Sequence, residues 1–311
     1  MTNLACPLPP LPLIPAMVTP FGADGSLDLI TAKALALHLV TAQRNDALLL
    51  NGTTGESPTT TTDEKIALIK GVKAHLAENN ATVPIIAGAG TNNTASSIAL
   101  SQASVAAGAD ALLIVVPYYN KPSQNGMVAH FSAIADSVPS TPLIIYNIPG
   151  RTGVLMQPET MARLHEAYPT IVGVKQSHND MEAVSTIRRL LPKTFTIWSG
   201  DDPLTLPMMA NGATGVISVL SHLAGPAIAA MMAAYTAGDV AQAHALHQRL
   251  LPLAQQLFTL PNPTIVKTVL ARRGVLPTAT FRLPMIAVDA SEEALIAKLL
   301  ADLDAFDAWF A

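Results

Sequence analysis

Short apolar runs of β type alternate along this chain with longer segments of helical periodicity. The runs are Pro15 to Thr19, Ala47 to Asn51, Pro84 to Gly88, Ala111 to Val116, Leu143 to Asn147, Ile171 to Lys175, Thr194 to Ser199 and Gly215 to Val219. Between them, Asp28 to Gln43, Asp63 to Glu78, Thr94 to Ala107 and Glu159 to Ala167 place apolar residues at helical spacing. Near-continuous apolar strands separated by crossover helices are the pattern of a parallel sheet covered on both faces. Eight such strands predict an α/β fold, a (β/α)8 TIM barrel. An open doubly wound sheet is the alternative, but no Gly-x-Gly-x-x-Gly joins the first strand to its helix. Beyond the eighth strand, Val240 to Leu257, Thr264 to Arg272 and Glu292 to Phe310 read as a C-terminal helical extension. The expected division is therefore 1–222 for the barrel strands and the catalytic mouth. Residues 223–311 supply the eighth barrel helix and a helical annex of the same compact unit.

Composition narrows what such a barrel does. With 311 residues, 50% of them apolar and 13% charged, the chain supports one large core. The formal net charge of -4 leaves no electrostatic footprint for nucleic acid or an anionic membrane, so small polar or anionic metabolites are the expected partners. The single cysteine, Cys6, has no partner for a disulfide or a thiolate zinc site. That usage fits a reducing compartment, and a cytoplasmic location is expected. The first twenty residues lack the basic n-region of a secretory signal and read as an ordered lead-in strand. The apolar stretch Leu223 to Tyr235 is shorter than the ~20 residues a membrane span needs and reads as a buried helix.

One residue breaks the apolar pattern. Lys175 ends the run Ile171-Val172-Gly173-Val174 where another aliphatic is expected. A lone lysine at a strand end is ordinarily there for solvation. Kept partly dry, the same amine is a nucleophile able to form a Schiff base with a carbonyl substrate. In a barrel, catalytic groups gather at the C-terminal strand ends, and here those ends are strongly polar. They carry Asn51 to Glu56, Pro117 to Asn120, Tyr146 to Gly153, Lys175, Ser199 to Asp202 and Ile217-Ser218. Singly, Thr53 and Thr54 read as turn threonines, Tyr146 as a core residue and Arg151 as a solvated loop charge. Together, one amine, two phenols, two hydroxyls and a guanidinium at one mouth define a site.

The chemistry distributes roles among them. Lys175 attacks the ketone of a 2-oxo acid, and the iminium stabilises a carbanion at the adjacent carbon. Tyr146, on the neighbouring strand, is the candidate general acid/base, with Thr53 and Tyr119 relaying its proton. Backbone N–H groups of the Thr53-Thr54 turn hold the substrate carboxylate, and Arg151 offers a fork to a second one. A metal alternative finds little support, because the eight histidines are scattered and none pairs with an acid at ligand spacing. His178 reads as a loop residue, and Asp201-Asp202-Pro203 as the N-terminal cap of a helix with proline in its first turn.

Over nearly its full length the chain resembles the dihydrodipicolinate synthase and N-acetylneuraminate lyase family of lysine-dependent, class I aldolases. The resemblance is carried by GTTGES at 52–57, PYYNKPSQNG at 117–126, YNIPGRTG at 146–153, GVKQ at 173–176, SGDD at 199–202 and GVISV at 215–219. PNPTIVK at 261–267 and FRLPM at 281–285 add to it. It implies Lys175 as the Schiff-base lysine, Tyr146 with Thr53 and Tyr119 as the proton relay, and Arg151 at the mouth. Thr54, Gly200 and Ile217 line the pyruvate pocket in the same picture. Tyr119 is lent across a tight dimer within a homodimer or homotetramer, and no cofactor is implied beyond the lysine. The partners implied are pyruvate and an aldehyde.

Arg151, the Tyr118-Tyr119 pair and the two C-terminal motifs favour the synthase branch, which condenses pyruvate with aspartate semialdehyde on the route to lysine and diaminopimelate. Gln176-Ser177 stands where that branch usually carries Glu-Ala, and His178-Asn179-Asp180 replaces a small, glycine-containing turn. Lysine-sensitive members place a histidine and an acid around an interface site; Lys65 and Ser96 fall at those positions here, so weak or absent inhibition by lysine is expected. Two other functions compete: an aldolase or dehydratase acting on a 2-keto-3-deoxy sugar acid or N-acetylneuraminate, and a keto-acid-binding paralogue without turnover.

Overall fold

The computed structural model describes residue 8 and residues 11–311; Cys6 and the first part of the expected lead-in strand lie outside the described residues. Eight parallel strands are present: β1 (Leu13–Pro15), β2 (Leu48–Leu50), β3 (Ile85–Gly88), β4 (Ala111–Val115), β5 (Leu143–Asn147), β6 (Ile171–Gln176), β7 (Thr196–Ser199) and β8 (Gly215–Ser218). Twelve α-helices among the described residues follow or separate them: α1 (Leu29–Thr41), α2 (Thr62–Glu78), α3 (Thr94–Ala106), α4 (Gln124–Ser137), α5 (Pro149–Thr152), α6 (Pro158–Ala167), α7 (Met181–Leu190), α8 (Thr205–Ala210), α9 (Ser221–Thr236), α10 (Val240–Gln256), α11 (Thr264–Arg272) and α12 (Glu293–Phe310). The strands form one sheet in the order β1-β8-β7-β6-β5-β4-β3-β2, the arrangement of a (β/α)8 TIM barrel, with α10 to α12 as its C-terminal extension. No helix among the described residues is long and apolar enough to cross a membrane.

Local sequence explains most element boundaries. Asp28, Asn93, Ser123, Asp180 and Asp239 each accept a backbone N–H at the start of the helix they precede. Thr61 and Glu64 cap α2 reciprocally, with Thr61 N donating to Glu64 Oε2 at 2.8 Å and Glu64 N donating to Thr61 Oγ1 at 3.2 Å. The apolar stretch at Leu223 forms the largely buried helix α9. The first strand departs from expectation, ending at Pro15 rather than running to Thr19. Pro15 has no N–H to give a ladder, and pairing continues only through Ala16 N to Ser218 O at 2.8 Å and Met17 N to Leu49 O at 3.0 Å.

The chain divides into two compact units: Met1–Pro12 with Pro84–Ile217, and Leu13–Val83 with Ser218–Ala311. The first contains β3 to β7 and most of β8, and its strand interiors are almost wholly aliphatic and buried. Within it Gly173 is required by its neighbours, since a Cβ there would lie 2.4 Å from Thr196 O and 2.7 Å from Trp198 Cζ3. The second unit contains β1, β2, α1, α2 and the helices from α9 onward. Its core includes one fully buried ion pair, Lys267 Nζ to Glu56 Oε1 at 2.7 Å.

Candidate active site

In the first unit, β5 and β6 pair in register so that Tyr146 lies opposite Lys175 and Asn147 opposite Gln176. Side chains alternate across a pleated strand, so these two pairs face opposite sides of the sheet. On one side Lys175 Nζ sits 4.5 Å from the centroid of the Tyr146 ring, and both residues are only 6% exposed. No carboxylate among the described residues pairs with the amine. On the other side, Asn147 Nδ2 donates to Gln176 Oε1 at 3.0 Å and to Met156 O at 3.1 Å, while Asn147 Oδ1 accepts from Met156 N at 3.1 Å. This closed amide network, at most 1% exposed, fixes the ends of both strands. Gln176, which the sequence marks as a departure beside the lysine, belongs to this network and faces away from the amine.

Ser177, the next residue but one after the lysine, returns to the Lys175 side. Gly200 N donates to Gln176 O at 2.8 Å, bringing the end of β7 against β6. A Cβ on Gly200 would lie 1.8 Å from Ser177 Oγ and 3.1 Å from Lys175 Cγ, so a larger residue there would have to displace the Ser177 side chain. Ser177 Oγ is buried without a hydrogen-bond partner, as is Nδ1 of His178 in the loop that follows. Trp198 stands opposite Lys175 on β7 and closes the site beneath it, its indole Nε1 donating to Leu11 O at 2.7 Å. Ile217 is buried within β8.

Two polar residues of this unit face solvent instead. Tyr119 is 89% exposed and holds a left-handed backbone with φ 69°, a conformation that costs a non-glycine residue of order 1 kcal/mol or more. Its phenol is not brought to Tyr146 within the chain. Arg151 lies exposed in α5, a single turn opened by Pro149 and ended by Gly153 at φ 71°.

Asp201 precedes a 3-10 turn over Asp202–Leu204 with Pro203 in its first turn, as the sequence suggests, but its carboxylate is not the cap. No side chain caps this turn; the Ser199 hydroxyl instead braces the backbone of Asp201, accepting from Asp201 N at 3.2 Å and donating to Asp201 O at 2.7 Å. Burial and the neighbouring charge of Asp202 push the Asp201 carboxyl up to about 6.

The Thr53-Thr54 turn belongs to the second unit. It is bounded by two left-handed residues, Asn51 at φ 58° and Glu56 at φ 53°. Gly52 O accepts from Gly55 N at 3.1 Å, and Thr53 O accepts from Glu56 N at 3.0 Å. Gly55 packs so closely that a Cβ would meet Thr19 Oγ1 at 3.0 Å and Met17 O at 3.1 Å. Neither threonine caps a helix. Thr54 is 3% exposed, and its Oγ1 accepts from Asn262 Nδ2 at 2.8 Å. Asn262, Lys267 and Arg282, from the two C-terminal motifs, all reach this turn or its flank: Arg282 N donates to Glu56 Oε2 at 3.1 Å, and the Arg282 guanidinium pairs with Glu64. No local sequence pattern marks the contact of these two motifs with the turn, nor the place of Trp198 opposite the lysine.

Known proteins share this chain's sequence and fold. The chain is 46% identical to the 4-hydroxy-tetrahydrodipicolinate synthase of Synechococcus elongatus, with 95% of this chain and 97% of that one covered. It is 44% identical to the Bacillus subtilis protein of the same name, covering 93% and 97%. Among solved structures it resembles a dihydrodipicolinate synthase from Cyanidioschyzon merolae with lysine bound, with a TM-score of 0.91 and 40% identity over 95% of this chain and 98% of that one. The synthase from Acinetobacter baumannii, complexed with pyruvate, superposes with a TM-score of 0.89 at 36% identity, covering 95% and 99%. Residues 10–303 match the dihydrodipicolinate synthetase family, and the chain belongs to it.

Proposed function

We propose that this chain, as an aldolase-type class I lyase, condenses pyruvate with L-aspartate 4-semialdehyde to give 4-hydroxy-tetrahydrodipicolinate. The observation that carries the mechanism is the dry, directly opposed pair of Lys175 amine and Tyr146 phenol. The amine adds to C2 of pyruvate, and loss of water gives an iminium. That iminium accepts the electron pair left when a proton departs from C3, and the resulting enamine attacks the aldehyde carbon. The aldehyde oxygen then needs a proton. Tyr146 is the group placed to move protons at carbinolamine formation and at the new alkoxide. The amine of the semialdehyde moiety then displaces Lys175 from C2, closing the ring and freeing the enzyme.

The remaining roles extend this reading. Thr53 and Tyr119 relay the proton of Tyr146 outward, Thr54 and the turn's N–H groups bind the pyruvate carboxylate, and Gly200 and Ile217 shape its pocket. Arg151, exposed on α5, meets the carboxylate of the incoming aldehyde. The high exposure and left-handed backbone of Tyr119 support its donation to a neighbouring subunit, hence a homodimer or homotetramer. The pathway role, feeding lysine and diaminopimelate synthesis, and the single cysteine support a cytoplasmic enzyme.

The test is pyruvate-dependent consumption of aspartate semialdehyde coupled to a downstream reductase, run beside N-acetylneuraminate and 2-keto-3-deoxy sugar acids. Saturable condensation of the semialdehyde at micromolar to low-millimolar substrate is expected. An inert semialdehyde with cleavage of a keto sugar acid would keep the lysine chemistry and reject the biosynthetic assignment.

A further inference from the structure

The carboxylate-binding role of Thr54 requires its hydroxyl to donate, and a hydroxyl has one proton and two acceptor sites. Left to itself, a buried threonine would give that proton to the nearest backbone carbonyl. Here Asn262 Nδ2 donates to Thr54 Oγ1 at 2.8 Å and occupies one acceptor site. Asn262 Oδ1 is buried and has no partner. Reversing the amide would strand its two N–H donors in place of one carbonyl oxygen, so the orientation with nitrogen toward Thr54 is the better satisfied one. A donor facing Thr54 Oγ1 cannot take its proton, which stays available to a ligand.

The backbone bearing Asn262 is itself anchored to the same turn. Five residues on, Lys267 forms the ion pair with Glu56, two residues past Thr54, and the two side chains are 0% and 1% exposed. The Lys267 ammonium also lies 4.4 Å from the Phe21 ring centroid and 4.9 Å from that of Phe281. The second Glu56 oxygen accepts from Arg282 N at 3.1 Å. The turn is thus gripped at residue 54 by an amide and at residue 56 by a charge pair, both from the C-terminal extension.

We propose that Asn262 is a positioning residue that makes the Thr54 hydroxyl an obligate donor to the keto-acid carboxylate. The inference rests on the proposed pyruvate-binding role of Thr54. The isosteric change Asn262→Asp separates it from simple space filling, because a carboxylate accepts the Thr54 proton and places a negative charge beside the substrate's. The concentration of pyruvate needed for half-maximal borohydride trapping, and its KM in turnover, are expected to rise about 10-fold or more at pH 8, as for a lost hydrogen bond to a charged group. The KM for semialdehyde should change little, and the pyruvate defect should shrink as the pH falls and the new carboxyl protonates. Unchanged pyruvate dependence across pH would overturn the proposal.

A second measurement does not depend on how well Asn262→Asp folds. If Asn262 acts through the Thr54 hydroxyl, Asn262→Ala and Thr54→Val combined should raise the pyruvate KM no further than Thr54→Val alone. Additive effects would overturn the proposal. Wild-type protein that pyruvate and borohydride do not label would reject the functional reading itself. Labelled wild type with unaltered variants would reject only the role of Asn262.

Discussion

Lys175 and Tyr146 face one another across the β5–β6 ladder with the amine 4.5 Å from the centre of the phenol ring, both nearly excluded from water. Strand register alone produces this, because Tyr146 and Lys175 are paired residues of adjacent parallel strands. Removing either group should therefore spare the fold and separate binding from chemistry. Lys175→Ala is expected to abolish turnover and borohydride trapping of pyruvate with an unchanged circular dichroism spectrum. Tyr146→Phe should retain trapping but lose about 10²-fold or more in kcat, the contribution of a general acid/base. Full activity of Tyr146→Phe would remove the phenol from the mechanism.

Much of this was legible in the sequence, for reasons that can be named. β5 over Leu143–Asn147 and α11 over Thr264–Arg272 have the bounds their patterns predict, since both are continuous apolar or periodic segments with clear punctuation. Lys175 was conspicuous because a charged residue ends an aliphatic strand. What sequence could not reach depends on distant partners. Thr54 and Asn262 are separated by 208 positions, and Lys267 and Glu56 by 211, so no local pattern joins them. Nor does the sequence show where Gln176 points: it neighbours Lys175 in the chain, yet strand alternation turns it to the other face, against Asn147.

Gly200 carries the tightest steric constraint beside the lysine. A methyl group there would overlap Ser177 Oγ and press on Lys175 Cγ. Gly200→Ala is expected to lower kcat/KM by about 10²-fold, the scale of a 1 Å misplacement of a catalytic group. Adding Ser177→Gly removes the closer obstruction, and steady-state kinetics on the double variant should show partial recovery. Equal damage in single and double variants would mean the obstruction lies elsewhere.

Feedback by lysine should be weak or absent. Lys65 is buried on α2, where its ammonium donates to Ser57 O at 2.9 Å and to Thr60 O at 2.5 Å. The side chain is thus held as a cation by backbone carbonyls at its position, and Ser96 carries no charge. A second cation beside Lys65 meets repulsion, and the adjacent Glu64 is already engaged by Arg282. Initial rates measured up to low-millimolar lysine should be unchanged; inhibition in that range would sink this reading.

Acid stability turns on a buried histidine. His222 is fully buried; its Nε2 accepts from Val18 N at 3.2 Å and its Nδ1 lies 2.8 Å from Val219 O. This pairing needs a neutral ring with its proton on Nδ1, and burial holds the pKa down to about 4 from the usual 6.5. Between those values the unfolded chain binds the proton and the native one does not, so stability falls as the pH drops from 6.5 to 4, by at most about 1.4 kcal/mol per pH unit for one proton. His38, also lowered by burial, acts in the same direction, whereas Asp201, raised to about 6, acts oppositely below that pH. His222→Gln isolates the histidine, because the other groups titrate in both proteins. The variant should be less stable than wild type at pH 7, and thermal melts should show the gap closing as the pH falls through 6.5 toward 4. Parallel Tm profiles for the two proteins would mean that His222 does not govern the acid limb.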